Sequence, residues 1–282
     1  MFNSQKIFRF ISLVSVGAAL SWANCYSNAK TASITLPFST QHSSENPNYY
    51  YEEALKLALE KTEKSYSKLD IKFYPYALTN ERQYANVKTN GGLDVIWSSS
   101  SRLREQQLIA VKFNLLRELS DYKVLLIRKA DKENFAKINS VADLRQFKAG
   151  VVAQSQDIQI LQRNSISITT AWDYDSMFKM LADKRFDYVI RGAQEIWPEV
   201  EQHKDENLIA EEKLLIGYKN PVYFFVNPKN EKLAKRIKAG LDIAEKDGSL
   251  QRLILSLPAF KKGADEIRNK KRRLISLDAE DY

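Results

Sequence analysis

The chain has 282 residues, of which 44% are hydrophobic and 28% charged, a composition that excludes a disordered or membrane-embedded protein. The formal net charge of +8 comes from 43 basic and 35 acidic residues scattered along the chain. The basic runs at residues 261–262 and 268–273 (RNKKRR) contain no interleaved aromatics, so we expect no nucleic-acid partner.

The first 29 residues have the pattern of a secretory signal peptide. Two basic residues precede an apolar run at residues 11–20, and small residues follow it. Cleavage after Ala23 and cleavage after Ala29 both fit the pattern, and the only cysteine, Cys25, lies between the two sites. We therefore expect an exported protein that relies on its core rather than on a disulfide.

Strands and helices alternate in the first half of the mature chain. Patterning predicts strands at residues 31–38, 69–76 and 93–97, with helices at 49–66 and 79–89 between them. This β-α-β-α-β order predicts an α/β fold with a mostly parallel sheet flanked by helices.

The third predicted strand ends in four serines, Ser98–Ser101, followed closely by Arg104. Open α/β sheets present ligand sites at the carboxyl ends of their strands. Serine hydroxyls can hold a polar headgroup, and an arginine can fork onto a carboxylate. Trp97, Ser98, Ser99 and Arg104 are therefore candidate ligand contacts. The alternative is a serine-rich turn with solvated arginines.

A second set of alternating elements follows, with a strand predicted at residues 121–128 and three more at 148–153, 165–170 and 186–190. Phe186-Asp187-Tyr188-Val189 repeats the position of Leu93-Asp94-Val95-Ile96 in the first set. If the two sets face each other, both strand ends point into one cleft.

Polar residues at the start of one helix and at the end of one strand in this second set are further candidate ligand contacts. Gln154, Ser155 and Asp157 open a predicted helix whose N–H groups can bind an anion, although Asp157 can equally cap that helix. Arg191 leaves the strand at 186–190, where it can bind a ligand carboxylate or pair with Glu195.

Aromatic residues provide the remaining candidates. Asn48 is placed to cap the first helix, and Tyr50 near its start is a candidate aromatic wall, whereas the spacing of Tyr51 predicts a core position. Trp97 and Trp172 each follow or end a predicted strand, so either can stack on a ligand or pack within a lobe.

The C-terminal third is predicted to contain strands at 208–217 and 221–227 and a helix at 231–246, for which Gly248 is the capping position. A helical tail is predicted at 251–257 and 264–277.

The order of these elements resembles the type 2 periplasmic solute-binding proteins, in particular their amino-acid-binding branch (family 3), of which this chain looks like a divergent relative. The segments that carry the resemblance are Leu93-Asp94-Val95-Ile96 with the serines and Arg104, Ser140-Val141-Ala142-Asp143-Leu144 before Lys148–Val152, Phe186-Asp187-Tyr188-Val189-Ile190, and Glu231–Ile254. In that family an arginine after the third strand clamps a ligand carboxylate, and Arg104 is its nearest counterpart.

The resemblance implies a periplasmic, two-lobed protein without a cofactor. Lobe 1 would comprise residues 30–119 and 221–282, and lobe 2 residues 120–220. Two crossover segments, near residues 118–122 and 218–222, would join the lobes and act as hinges. The protein would be a monomer, and its lobes would close on a small polar ligand that carries a carboxylate. Its partner would be an inner-membrane ABC permease or, alternatively, a membrane signalling receptor.

Catalysis has little support in the sequence. His42 and His203 are the only histidines, and they lack the spacing of metal ligands. No nucleophile elbow, phosphate-binding glycine loop or zinc motif is present. We therefore expect a binding protein, with a lyase or dehydratase on the same fold as the weaker alternative.

Overall fold

The computed structural model of the protein describes residues 32–39, 46, 48–153 and 155–279. The predicted signal peptide and two of the residues discussed above, Gln154 and His42, lie outside the described residues. Within the described part of the chain, no helix combines the length and the apolar character needed to cross a membrane.

Strand and helix positions agree with most of the sequence predictions. The strands are β1 Ser33–Leu36, β2 Asp70–Phe73, β3 Val95–Ser99, β4 Ile109–Val111, β5 Tyr122–Arg128, β6 Ala149–Val152, β7 Ile168–Ala171, β8 Tyr188–Gly192, β9 Leu208–Ala210, β10 Leu214–Gly217, β11 Val222–Val226 and β12 Arg273–Ser276. The helices are α1 Tyr49–Lys61, α2 Asn80–Thr89, α3 Arg102–Gln107, α4 Lys132–Phe135, α5 Val141–Leu144, α6 Asp157–Arg163, α7 Tyr174–Ala182, α8 Ile196–Gln202, α9 Glu231–Lys246, α10 Ser249–Ser256 and α11 Pro258–Arg268.

Local side-chain caps explain where several helices begin. Thr79 accepts a hydrogen bond from the Arg82 amide at the start of α2. Ser140 and Asp173 each form a reciprocal capping box at the start of α5 and α7. Gly248, with φ of 74°, follows α9 at the position where a left-handed residue ends a helix, as predicted.

The strands form two groups, each with its own core. In the first lobe β1 pairs with β2, and β11 lies between β3 and β4. In the second lobe the order is β12-β10-β5-β8-β6-β7, with β9 also paired to β5. The predicted α/β class is confirmed. In the second sheet the β6–β7, β6–β8 and β10–β12 pairs are parallel. Strand β5 is antiparallel to its neighbours β8, β9 and β10.

The repeated aspartate motif has the same structural role in both lobes. The Asp94 amide donates to the Thr35 carbonyl, and one Asp94 carboxylate oxygen accepts from the Thr35 amide at 2.8 Å. Asp187 makes the same pair of bonds with the backbone of Lys148, again with the carboxylate oxygen 2.8 Å from the amide. Each aspartate therefore fixes the start of β3 or β8 against a neighbouring strand, and it leaves the opposite strand end available for a site.

The chain crosses between the lobes at the two predicted segments. The 3₁₀ turn Arg117–Asp121 leads from the first lobe into β5, and residues 218–221 lead back into β11. The strands entered directly from these crossovers are β5 and β11, and every pair that they form is antiparallel. The hinge motion at these segments and the remaining lobe boundaries stay predictions.

The C-terminal segment contradicts one part of the predicted lobe division. Residues 264–277 were expected to be helical and to belong to the first lobe, but α11 ends at Arg268 and β12 pairs in parallel with β10 of the second lobe. Lys270 has a positive φ of 52°, which turns the chain out of the helix. Ile275 and Leu277 then become buried in the second core. The chain thus passes between the lobes a third time.

Helix α9 approaches α1 closely at Gly240, and this contact tests the packing of the first lobe. A Cβ atom at Gly240 would lie 1.9 Å from the Ala58 carbonyl oxygen. We expect Gly240→Ala to lower the free energy of unfolding by about 2 kcal/mol or more, because the two helices must separate. Urea unfolding measures this change.

The matched control is Lys232→Ala, at an exposed position of the same helix, for which we expect a change within about 0.5 kcal/mol. Equal stability of Gly240→Ala and the wild type would contradict the close helix contact, since alanine is otherwise the better helix former.

Candidate functional site

A cavity of about 270 Å³ lies between the two lobes. Its walls come from the carboxyl end of β3, the start of β5, the end of β8, the start of α6 and the second crossover. The side chains that line it are mostly polar: Tyr51, Trp97, Ser98, Ser99, Leu116, Ser120, Lys123, Ser155, Gln156, Asp157, Tyr174, Ile190, Arg191, Gly192, Gln194, Glu195, Asn220 and Val222. The predicted meeting of the β3 and β8 ends in one cleft is therefore confirmed.

The aromatic wall of the first lobe consists of Trp97 and Tyr51. Their rings stack with centres 5.5 Å apart and planes 13° from parallel. The Trp97 indole N–H donates to the Asn48 side-chain oxygen at 3.3 Å. Asn48 is the N-cap residue of α1, as predicted, but it has helical backbone angles and its side chain makes no capping hydrogen bond. It holds the tryptophan instead.

The sequence prediction exchanged the roles of two neighbouring tyrosines. Tyr50 does not line the cavity: it is fully buried, its hydroxyl donates to the Leu115 carbonyl, and its ring packs against Phe260. Tyr51, predicted to be core, faces the cavity. Helical periodicity identifies the inward face of α1 but not the point along it where the core gives way to the cleft.

The serines at the end of β3 divide between the cavity and the strand-to-helix turn. Ser98 and Ser99, two of the predicted ligand contacts, line the cavity. Ser101 caps α3, and its hydroxyl accepts from the Arg104 amide at 3.3 Å. The Arg104 guanidinium donates to the Ser99 carbonyl at 2.7 Å and lies 4.7 Å from the centre of the Tyr84 ring. Arg104 is therefore not part of the cavity lining, contrary to the prediction of a carboxylate clamp.

Arg191 lies in the cavity wall, but protein carboxylates already occupy its guanidinium. Its Nε atom is 2.8 Å and 3.0 Å from the two carboxylate oxygens of Glu199, and its Nη2 atom donates to the same carboxylate. Nη2 also lies 3.2 Å from Glu195, the partner proposed as the alternative to a ligand. The guanidinium packs against the ring of Tyr174 at 4.6 Å. The sequence did not indicate Glu199, which is eight residues away.

Burial and charge act in opposite directions on this cluster. Burial alone lowers the pKa of Arg191, but Glu195 and Glu199 together raise it well above its ordinary value. Burial raises the pKa of Glu195, but Arg191 and Lys123 reverse this, so that it lies below its ordinary value. For Glu199 burial prevails over the attraction of Arg191, and its pKa is raised. Arg191 therefore enters the cleft as a paired cation.

The turn before α6 contributes Ser155 and Asp157, both of which line the cavity. Asp157 does not cap the helix: it is the first residue of α6, and its carboxylate accepts from the Tyr218 hydroxyl at 2.7 Å. Its other oxygen lies 3.2 Å from the Ser155 hydroxyl. This contact with Tyr218 ties the start of α6 to the second crossover, which the sequence pattern did not indicate.

Lys123 is the main site residue that the sequence interpretation missed. It is the second residue of β5 and only 7% exposed, yet it lines the cavity. Its ammonium donates to the Ser120 carbonyl at 2.6 Å and lies 5.3 Å from the centre of the Tyr218 ring. A lysine directly before the apolar run VLLI of a predicted strand is the signal that identifies it, because buried lysines are rare.

Two buried amides complete the polar lining. The side-chain oxygens of Gln194 and Asn220 have no hydrogen-bond partner among the residues that the structure describes. The Gln194 amide and the Glu195 carboxylate crowd Gly192, whose Cβ would lie 2.8 Å and 3.0 Å from them. Trp172, by contrast, is 86% exposed and does not line the cavity, so the structure does not support its predicted role as a ligand contact.

Sequence and structure comparisons give different results. No family model and no curated protein matches the sequence. An ancestral arginine-binding protein bound to glutamine superimposes with a TM-score of 0.60 at 14% identity, over 81% of this chain and 98% of that one. A histidine kinase sensor domain similar to periplasmic binding proteins gives 0.60 at 14%, over 81% and 96%. A structure from work on glutathione import through GshT and the cystine ABC importer TcyBC of Streptococcus mutans gives 0.58 at 16%, over 80% and 95%.

At these identities the similarity shows the fold alone. The chain has the two-lobed fold of type 2 periplasmic binding proteins, as the order of its elements predicted.

The Arg191–Glu199 pair allows a direct test of the site's internal charge balance. The two side chains are 13% and 15% exposed. We expect Glu199→Gln to lower the free energy of unfolding by about 2 kcal/mol or more, because a buried guanidinium then loses a bidentate ionic partner. Urea unfolding followed by tryptophan fluorescence measures the change.

The control is Glu201→Gln, on the same helix, whose partner Lys204 is exposed like Glu201 itself. We expect it to change stability by no more than about 0.5 kcal/mol. If both variants had the same small effect, Arg191 would not depend on Glu199 for its charge balance.

Proposed function

We propose that this protein is a periplasmic solute-binding protein that encloses a small polar ligand between its two lobes. The observation that carries the proposal is the polar cavity of about 270 Å³ at the meeting of the β3 and β8 strand ends. Ligands of open α/β sheets bind at the carboxyl ends of the strands. The fold, shared with several binding proteins, supports the same interpretation.

The lining residues favour a small, polar, amino-acid-like solute. Ser98 and Ser99 of the first lobe offer hydroxyl groups, and Trp97 with Tyr51 offers an aromatic face. Lys123, Asp157 and Glu195, from the second lobe, supply both signs of charge. Closure of the lobes at the two crossovers would exclude water, which strengthens each charged hydrogen bond to the ligand.

Delivery to an inner-membrane ABC permease is the first candidate for the protein's role. The likeness to a structure from a glutathione import study supports it. A sensing role, in which the closed form docks on a membrane receptor, is the second candidate, supported by the likeness to a histidine kinase sensor domain. A permease gene beside this one would favour uptake, and a kinase or cyclase gene would favour sensing.

A thermal-shift screen of amino acids, organic acids and polyamines tests the binding function. At a concentration about 100-fold above Kd, a ligand stabilises a folded protein by about 2.7 kcal/mol. For a chain of this size we expect the melting temperature to rise by roughly 5 to 10 °C. A screen in which no small polar compound raises the melting temperature would contradict the proposal.

A pair of tryptophan variants localises the binding. We expect Trp97→Ala to weaken binding of any compound found in the screen by at least about tenfold, because it removes one wall of the cavity. Trp172→Ala should bind as the wild type does, since Trp172 is exposed and outside the lining. Isothermal titration calorimetry gives both affinities, and circular dichroism confirms that each variant is folded. Equal losses in the two variants would place the ligand elsewhere.

A further inference from the structure

The two cations among the described residues that line the cavity, Lys123 and Arg191, differ in what surrounds them. Arg191 already has Glu199 and Glu195 as partners. The Lys123 ammonium can donate three hydrogen bonds, and its contacts within the described chain are one bond to the Ser120 carbonyl and the ring of Tyr218. It forms no ion pair within 4.0 Å among the described residues.

The three carboxylates whose charges act on Lys123 are engaged with other groups. Asp157 accepts from Tyr218, Glu195 accepts from the Gly192 amide at 3.1 Å and pairs with Arg191, and Asp121 pairs with Lys219 at 2.5 Å. Their charges reach Lys123 only through space: burial lowers its pKa, the three carboxylates oppose this, and the pKa remains below its ordinary value.

A buried ammonium without a contact ion pair costs free energy, because carboxylates that act only through space compensate its desolvation in part. Such a cost is common at binding sites, where stability is given up for function. An anionic group of the ligand in this cavity would supply the missing partner, at the position where both lobes and the first crossover meet.

We propose that Lys123, rather than Arg104 or Arg191, binds the carboxylate of the amino-acid-like ligand. The inference rests on the proposed binding function. A lysine acts as a point charge with rotatable donors rather than a planar fork, so the site does not require bidentate geometry from the carboxylate.

Matched pairs of compounds that differ by one carboxylate test this assignment: L-arginine and agmatine, L-lysine and cadaverine, and L-histidine and histamine. We expect the wild type to bind an amino acid of this panel at least about tenfold more tightly than its amine. We expect Lys123→Met to lose that difference, whereas Lys219→Met, which removes an exposed lysine from the other crossover, should retain it. Calorimetry measures all affinities.

The ligand-free proteins provide a second, independent measurement. Methionine has a similar length to lysine and no charge, so Lys123→Met should melt at the same temperature as the wild type or at a higher one. A melting temperature lowered by roughly 4 °C or more would overturn the inference, since Lys123 would then be a structural ion-pair residue.

The possible failures are distinguishable. If the wild type binds the amines as tightly as the amino acids, or if Lys123→Met retains the preference for the carboxylate, the inference is wrong and the proposed function stands. If no compound of the panel or of the wider screen binds the wild type, the proposed function fails, and the ligand-free melting temperatures alone decide whether Lys123 carries an uncompensated charge.

Discussion

The bidentate ion pair between Arg191 and Glu199 lies at the end of β8, where a buried strand opens into the interlobe cavity. A guanidinium with 13% exposure needs a partner inside the protein, and Glu199 on α8 provides it. Arg191, Glu195 and Glu199 form a cluster in which the guanidinium keeps its charge and the two carboxylates balance that charge. The positive charge of the cavity is consequently carried by a different residue, Lys123, whose ammonium has no contact partner of opposite sign among the described residues.

This division of charge follows from the geometry of the second lobe. In β5 and β8, Lys123 is paired with Gly192, so the lysine lies beside the strand end from which Arg191 leaves. Gly192 has no room for a side chain because Gln194 and Glu195 lie against it. The acidic residues can therefore approach Arg191 closely, while Lys123 remains on the cavity side. One strand thus supplies an arginine with carboxylate partners, and its neighbour supplies a lysine that has no ion-pair partner among the described residues.

The third passage of the chain between the lobes adds a constraint on any closure motion. Helix α11 packs in the first lobe through Phe260 and Ala264, and β12 is a strand of the second sheet. Gly263 lies so close to the Ala193 carbonyl that a Cβ atom would be 2.5 Å from it. In any closure motion, α11 must therefore either keep its contact with Ala193, next to the end of β8, or move along it.

Several site residues follow from local rules that the sequence displays directly. Ser98 and Ser99 come after an apolar strand, Arg191 ends a second one, and the repeated aspartates Asp94 and Asp187 mark the equivalent strands in the two lobes. These features depend on residues close together in the chain, and ligand sites of open α/β folds lie at the carboxyl ends of such strands. The fold class and the position of the cleft could be predicted for this reason.

Other site features depend on partners far apart in the chain, and local patterns do not reveal them. Asn48 holds Trp97, and Tyr218 holds Asp157, across separations of 49 and 61 residues. The Arg104 guanidinium contacts the Ser99 carbonyl and the Tyr84 ring rather than the cavity, and the sequence does not show which of these contacts forms. The sequence alone determined which strands end in polar groups, because strand and turn propensities are local. The tertiary structure alone decided which of those groups are already paired, because burial and charge partners are set by distant elements.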